Sequence, residues 1–536
     1  MFIKIAMLVI FIAVTITVGF RFRSRASDVA GFVLGGHTVG PWLTAFAYGT
    51  SYFSAVVFVG YAGQFGWRFG LASTWIGLGN AFIGSLLPWV ILGKRTRLMT
   101  HHLGSKTMPD FFGQRYSSKA LKIGASIIAF VFLVPYTASL YNGLSRLFVM
   151  AFGIDFIFCI IAMAILTGVY VILGGYVATA VNDLIQGIVM LGGIIAVIGA
   201  VLKGNGGFIN ALKAMSEVTN PAAVAGLEAA PGIYNSFLGP DPASLLGVVL
   251  LTSLGTWGLP QLVGKFYAIK SEKDIFQGTI ISSAFALIVA GGCYFIGGFG
   301  RLYANAIGVT EAGLPVGGYD AIIPSMMSQF SDVLVGMVMV LVLSASISTL
   351  SSLVMTSAST FTIDFMKDNF IKDMDDKLQL IMIRSLVAVF IVISSTIAVI
   401  QYRGGVDFIA QLMGISWGAL AGAFLAPFLY GLFWKRVNKA SVWACFIFSI
   451  SLMVGNIFFR SSFPAIIQSP INCGALAMIA GLIIVPAVSL VSAAPNKKHV
   501  DNCFACYEVN TATARAGNAN SRNASNRSSS NKKKKK

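Results

Sequence analysis

The sequence predicts an all-α protein that crosses a lipid bilayer many times. Three observations lead there: 56% of the 536 residues are hydrophobic, only 11% are charged, and apolar runs near 20 residues recur along the chain. A mean hydropathy of +0.79 leaves too little polar surface to coat a water-soluble globule. A hydrocarbon core roughly 30 Å thick takes about 20 helical residues to cross, close to the length of each run. The 57 glycines fit the same class, because small residues let membrane helices approach closely.

Thirteen spans are expected, near 2–20, 41–65, 70–92, 121–150, 155–174, 178–202, 243–264, 276–300, 332–362, 379–400, 407–433, 440–459 and 471–492. The first reads as a retained helix rather than a secretion signal. Its charges (Arg21, Arg23, Arg25) follow the apolar run instead of preceding it, and no small-residue cleavage pattern appears. Residues 1–30 then form an N-terminal addition to a core at 31–440, with blocks at about 41–202 and 243–433, and 440–495 supply further helices. Beyond Asn496 the chain turns polar and repetitive ("NANSRNASNRSSSNKKKKK") and cannot bury enough apolar area to fold. Residues 496–536 are therefore expected to be a disordered cytoplasmic tail whose terminal lysines touch anionic lipid.

The net charge of +18 does not point to nucleic acid, because the basic residues cluster between spans. The loop 93–122 carries Lys94, Arg95, Arg97, Lys106, Arg115, Lys119 and Lys122 against Asp110 alone. Lys265, Lys270 and Lys273 follow the seventh span, and Lys435, Arg436 and Lys439 follow the eleventh. The longest loop of opposite parity, 203–242, has only Lys203 and Lys213. By the positive-inside rule this alternation predicts a multi-pass protein of the plasma membrane, N-terminus outside and C-terminus cytoplasmic. Four of the six cysteines (Cys159, Cys293, Cys445, Cys473) fall in apolar runs as small hydrophobes. Cys503 and Cys506 form a lone C-x-x-C, a weak zinc signal without a second pair.

The chain has no Walker A sequence, no H-E-x-x-H and no Gly-x-Ser-x-Gly, and no soluble domain that could house a nucleotide-driven engine. Neither an ATP-driven pump nor an enzyme is expected. Asp183 is the one carboxylate placed well inside a span, where an ionisable group is costly unless paired.

The stretch "LSASISTLSS" (343–352) carries six hydroxyls in ten residues and no charge. On a helix Ala345, Ser348, Thr349 and Ser352 follow i, i+3, i+4, i+7 and share one face. Sodium is a hard cation that prefers oxygen ligands, and a few neutral oxygens hold it loosely enough for release. Isolated Ser and Thr in membrane helices more often bond back to the i−4 carbonyl or join two helices. Further oxygens are expected from broken helices, because unwound carbonyls survive inside a bilayer only where they line a cavity. "YGTSYFSAVVFVG" (48–60) and "SLGTWGLP" (253–260) are the two candidate breaks. They open two successive five-helix blocks, the arrangement of an inverted repeat.

These segments carry a resemblance to the sodium:solute symporter family, and within it to the bacterial proline-transporting members. "HTVGPWLTAFAYGTSYFSA" (37–55) resembles the family's first core helix, and "TMPDFFGQRY" (107–116) its first cytoplasmic loop. "GGYVATAVNDLIQG" (174–187) is similar to the signature G-G-x-x-A-x-x-x-x-D-x-x-Q, and "ASISTLSSLVMTSASTFTIDF" (345–365) to the eighth core helix. The matches run in order from about residue 30 to 440. The resemblance implies a leucine-transporter-like fold of two inverted five-helix repeats, and uptake of a small organic solute coupled to inward sodium movement by alternating access. It implies a common sodium site formed by the carbonyls of Thr50, Phe53 and Ala345 with the hydroxyls of Ser348 and Thr349. A second sodium would use Asp183, Ser351 and Ser352, giving two sodium ions per solute.

For the solute the resemblance implies Ser54, Ala55, Val56, Tyr136, Thr252, Thr256 and Trp257. Here the chain departs from the proline-transporting members, with Tyr52 where they have an acidic residue and Val56 where they have a tryptophan. Amino acids such as proline and monocarboxylates both fit, and sugars fit less well. A sodium-conducting channel and a solute sensor with a transporter-like fold are the rival readings. Beyond sodium, the solute and lipid, nothing in the sequence calls for nucleic acid or an obligatory protein partner.

Overall fold

In a bilayer the backbone must satisfy its own hydrogen bonds, and this chain does so almost wholly with helices. The computed structural model describes residues 2–22, 26–218, 231–311, 313–371, 373–403 and 409–508. Among them the extended pairing is limited to isolated bridges, Val39 with Ile269 and Val309 with Pro315.

In chain order the principal helices are α1 (Phe2–Phe22), α2 (Pro41–Tyr52), α3 (56–69), α4 (74–103), α5 (Lys119–Phe152) and α6 (Phe156–Gly204). They continue with α7 (Pro242–Leu254), α8 (Pro260–Ala268), α9 (Glu272–Gly298), α10 (Asp332–Thr360), α11 (Asp376–Arg403), α12 (Ile409–Phe433), α13 (Lys439–Phe458) and α14 (Pro470–Val491). Eleven continuous helical segments among the described residues are long and apolar enough to cross a membrane, where the sequence reading expects thirteen spans. Two of the eleven, Val56–Leu103 with 48 residues and Phe156–Gly204 with 49, each overlie two expected spans. Both contain a left-handed glycine: Gly70 at φ 61° and Gly175 at φ 58°. A Cβ on Gly175 would also lie 2.7 Å from the Ala26 Cβ, so the turn needs glycine for its angle and its space.

The buried share of each span orders the bundle. In the most apolar window of α10, 83% of residues are buried, against 22% in α1. The hydroxyl-rich helix is thus central and α1 peripheral. Packing is closest where glycines meet: a Cβ on Gly66 of α3 would lie 2.0 Å from the backbone of Gly297 in α9.

Two expectations are corrected. Lys265 does not belong to a loop with Lys270 and Lys273; α8 continues to Ala268, and Lys265 is buried, 4% exposed. Pro260 supplies the reason, because proline suits the first turn of a new helix. Nor does disorder begin at residue 496. Residues 497–508 form a helix, with Val500, Cys503 and Phe504 buried. His499 donates to the Gln114 carbonyl (2.9 Å), His102 to that of Asn502 (2.8 Å), and Lys435 pairs with Asp501 at 2.7 Å. Apolar side chains every three or four residues let this short segment dock. Residues 509–536, with the lysine run, lie outside the described residues. Cys503 and Cys506 are free thiols, and no metal-binding group of three or more His, Cys, Asp or Glu occurs among the described residues.

One ionic cluster fastens the basic loop to the core. Lys122 Nζ lies 2.9 Å from Asp110, 2.9 Å from Asp368 and 3.5 Å from Asp364, which is fully buried and also accepts from Thr107. Removing one partner of a buried pair leaves the other charge uncompensated, at a cost of about 3–5 kcal/mol. Lys122→Met should therefore lower the thermal unfolding midpoint of purified protein by several degrees, and Lys122→Arg by much less. Equal midpoints for wild type and Lys122→Met would show that the ammonium does not hold this loop.

Candidate functional site

The site begins at a break in the backbone. α2 ends at Tyr52, and Phe53 leaves the helix at φ −101°, ψ 104° while its N–H still donates to Gly49 at 3.0 Å. The chain resumes as α3, turning the carbonyls near Thr50 and Phe53 away from regular helical pairing. The second break is similar. After α7, Gly255–Trp257 make a tight turn, Leu259 is extended at ψ 119°, and α8 starts at Pro260. Tyr52 joins the two breaks by donating from its hydroxyl to the Thr252 carbonyl at 2.6 Å.

The hydroxyl face of α10 meets the first break. Thr349 Oγ1 lies 3.0 Å from the Thr50 carbonyl and 2.9 Å from that of Ala345. Ser348 Oγ is buried with no hydrogen-bond partner, beside the Asp183 carboxylate but outside hydrogen-bonding geometry. Thr50, Ala345, Ser348 and Thr349 are thus brought together, with Phe53 at the break one turn beyond Thr50. A cluster of neutral oxygens with one hydroxyl unpaired can receive a hard cation.

The residues expected to hold a second sodium are differently engaged. Ser351 Oγ donates within its own helix, 2.8 Å from the Ile347 carbonyl and 2.9 Å from that of Ser348. Ser352 Oγ is 2.7 Å from Ser51 Oγ and accepts from Lys265 Nζ at 2.9 Å. Both Asp183 oxygens are buried without a hydrogen-bond partner. The sequence reading does not include Lys265 among the site residues, because the seventh expected span ends at 264; the signal is Pro260, which starts a helix five residues earlier. A narrow cavity reaches Lys265 and Ser352, lined also by Lys106, Thr107, Tyr176 and Gln261.

The solute residues divide in the same way. Ser54 Oγ, Tyr136 OH and Trp417 Nε1 are buried beside one another but outside good hydrogen-bonding geometry. Trp417 meets the Tyr136 ring edge-on at 5.9 Å and stacks on Tyr52 at 5.8 Å. The sequence reading missed it, although tryptophan in a membrane protein concentrates at the interfaces and one in the middle of a span is a signal. Ala55 and Val56 are buried beside Ser54. Thr252 and Thr256 do not present free hydroxyls, since each bonds a carbonyl of its own helical segment, Val248 at 2.8 Å and Ser253 at 3.0 Å. Trp257 is turned to another helix, its Nε1 donating to Ile83 at 2.9 Å.

A helical bundle with two broken membrane helices, the first facing a cluster of neutral oxygens beside a buried aromatic cluster, has the form of a cation-coupled secondary transporter. The model of the sodium:solute symporter family matches residues 32–448. The chain belongs to that family. It is 28% identical to an osmoregulated proline transporter of Bacillus subtilis (strain 168) over 490 residues, 91% of this chain and 94% of the relative. It is 29% identical to a sodium/proline symporter of Staphylococcus aureus over 450 residues, 81% of this chain and 82% of the relative. In fold it is similar to a sodium-coupled sialic acid symporter in a substrate-bound outward-open state. That match has a TM-score of 0.71 and 17% identity, covering 93% of this chain and 99% of the other. A nucleobase-cation-symport-1 family transporter in a closed conformation matches at TM-score 0.52 and 14% identity, covering 88% of this chain and 97% of the other. The chain is therefore a multi-pass membrane transporter rather than an enzyme, with sodium as the co-transported ion and a small organic solute as its cargo.

Trp417 depends on a glycine opposite. A Cβ on Gly255 would sit 2.5 Å from the Trp417 ring, whereas one on Gly199 would meet nothing within 4 Å. Gly255→Ala should cut solute uptake at least tenfold with normal membrane insertion, and Gly199→Ala should leave uptake unchanged. Uptake and surface labelling in the same cells check both.

Proposed function

We propose that the protein takes up a small amino acid, with proline the first candidate, in exchange for the energy of inward sodium movement. The observation that carries this reading is the trio of buried polar atoms Ser54 Oγ, Tyr136 OH and Trp417 Nε1, neighbours among aromatic rings with no hydrogen bond of good geometry. Polar groups buried without partners are costly, so a cargo that supplies both donors and acceptors is favoured there. A zwitterion of proline's size does this, and its ring packs against Tyr52, Tyr136 and Trp417. The names of the two quoted relatives point the same way. Monocarboxylates are the second class to test, because they share the carboxylate. Thermal stabilisation of the purified protein by amino acids, monocarboxylates and sugars, with and without sodium, identifies the class. Stabilisation by sugars alone would overturn the assignment.

Sodium binds at the carbonyls of Thr50, Phe53 and Ala345 and the hydroxyls of Ser348 and Thr349. A hydroxyl offers one proton and two lone pairs, so Thr349 can give up its bonds to Thr50 and Ala345 while all three oxygens turn to the ion. The breaks at Phe53 and Leu259 supply hinges for alternating access. A channel with the same oxygens would not accumulate solute uphill, and accumulation against a gradient decides between the two. Ser348→Ala and Thr349→Ala should each raise half-saturating sodium about tenfold or more, since losing an oxygen worth about 1.4 kcal/mol has that effect. An unchanged value in both variants removes the assignment.

The N-terminus lies outside and residues 497–508 lie in the cytoplasm of a cell whose plasma membrane holds the transporter. The basic loop 93–122 and the lysines after α12 support that orientation. A cysteine at position 2 in a cysteine-free background should react with an impermeant reagent added outside intact cells, and one at position 498 only after permeabilisation. The opposite pattern reverses the topology.

A further inference from the structure

A second sodium needs oxygens that are free, and here a lysine engages one of them. Lys265 rides on α8, the second half of the broken helix, and its Nζ donates to Ser352 Oγ at 2.9 Å. The same oxygen is hydrogen-bonded to Ser51 Oγ at 2.7 Å, which leaves it little capacity for a metal ion. Ser351 Oγ is turned back to carbonyls of its own helix. Asp183 remains, fully buried with both oxygens lacking a hydrogen-bond partner, and the positive charge that acts on it is Lys265. The Tyr176 ring, 5.2 Å from Nζ, adds a further hold on the ammonium.

The charges of this corner sum to zero without any ion. An ionised Asp183 contributes −1 and an ionised Lys265 +1, so the pair sums to zero whether both groups are charged or both neutral. A sodium lodged beside Ser352 would add a positive charge next to an ammonium, in an interior that screens poorly. A lysine also differs from cargo in being tethered. It stays in the protein through every cycle and is never released to the far side.

We propose that the Lys265 ammonium permanently fills the second cation place, so that the transporter carries one sodium per solute. Asp183 is then neutralised by a residue of the chain instead of by a transported ion. This rests on the sodium site assigned above to Thr50, Phe53, Ala345, Ser348 and Thr349, and adds to it a fixed stoichiometry.

Equilibrium binding of radioactive sodium to the purified full-length protein, without solute, counts the ions directly. Wild type should saturate at one sodium per chain. Lys265→Met should saturate at two, because the freed Ser352 and the uncompensated Asp183 then accept an ion, and adding Asp183→Asn should return the count to one. Two sodiums on wild type would overturn the proposal, as would one sodium on monodisperse Lys265→Met. Should that variant not purify as a monodisperse protein, the wild-type count decides. Absence of saturable sodium binding in wild type is a different failure: it removes the sodium site itself, and this proposal with it.

Discussion

A helix broken inside a membrane must find partners for the backbone groups it frees, and the Thr349 hydroxyl supplies one. Its oxygen lies within hydrogen-bond distance of both the Thr50 carbonyl at the first break and the Ala345 carbonyl of its own helix. Remove that tie and the carbonyls of the first break face a poorly hydrated interior, where each unsatisfied group costs several kcal/mol. The break therefore depends on α10, and α10 must be central to reach it. Burial of most of α10 follows from the same requirement, as does its long series of small and hydroxyl side chains. The second break is held less directly, through the Tyr52 hydroxyl on Thr252 and the stacking of Tyr52 against Trp417.

The arrangement separates two kinds of polar chemistry. Neutral oxygens gather at the first helix break, where Thr349 meets the Thr50 and Ala345 carbonyls. Full charges meet opposite charges where the basic loop joins the core, as with Asp364 and Lys122. Asp183, buried with no hydrogen-bond partner, has the lysine that acts on it, Lys265, on a different helix. The membrane potential contributes roughly 2.3 kcal/mol per charge moved per 100 mV, so whether a cation belongs to the protein or to the cargo changes the energy of each cycle by that amount.

Much of this was legible in the sequence. The spans could be read because a bilayer imposes a length on every crossing, and each expected span overlies a helix. The face of Ala345, Ser348 and Thr349 could be read because helical periodicity alone sets it. Lys265 could not be placed by apolar content, which fades toward helix ends, so a lysine near a boundary reads as loop unless the helix restart at Pro260 is given weight. Thr252 and Thr256 carried a second difficulty. Whether a hydroxyl faces a ligand or its own helix depends on a rotamer and on the local backbone, and both here bond back. Trp417 lies in α12, far in sequence from Tyr136 on α5, and only tertiary packing brings their polar atoms to one place. The docked helix 497–508 was hidden because its few apolar residues are averaged away by the polar tail that follows.

That last helix touches both halves of the core at one end of the bundle. It reaches His102 at the end of α4, Gln114 in the short helix Met108–Arg115 that follows, and Lys435 beyond α12. Such a segment behaves as an internal ligand, bound to whichever arrangement of the two halves it fits. A ligand shifts a conformational equilibrium only by the difference in its affinity for the two states. Each 1.4 kcal/mol or so of contact that differs between the states changes their ratio about tenfold. Any contact of this helix that exists in only one arrangement of the core would shift the ratio of inward- to outward-facing forms from a place remote from the first helix break.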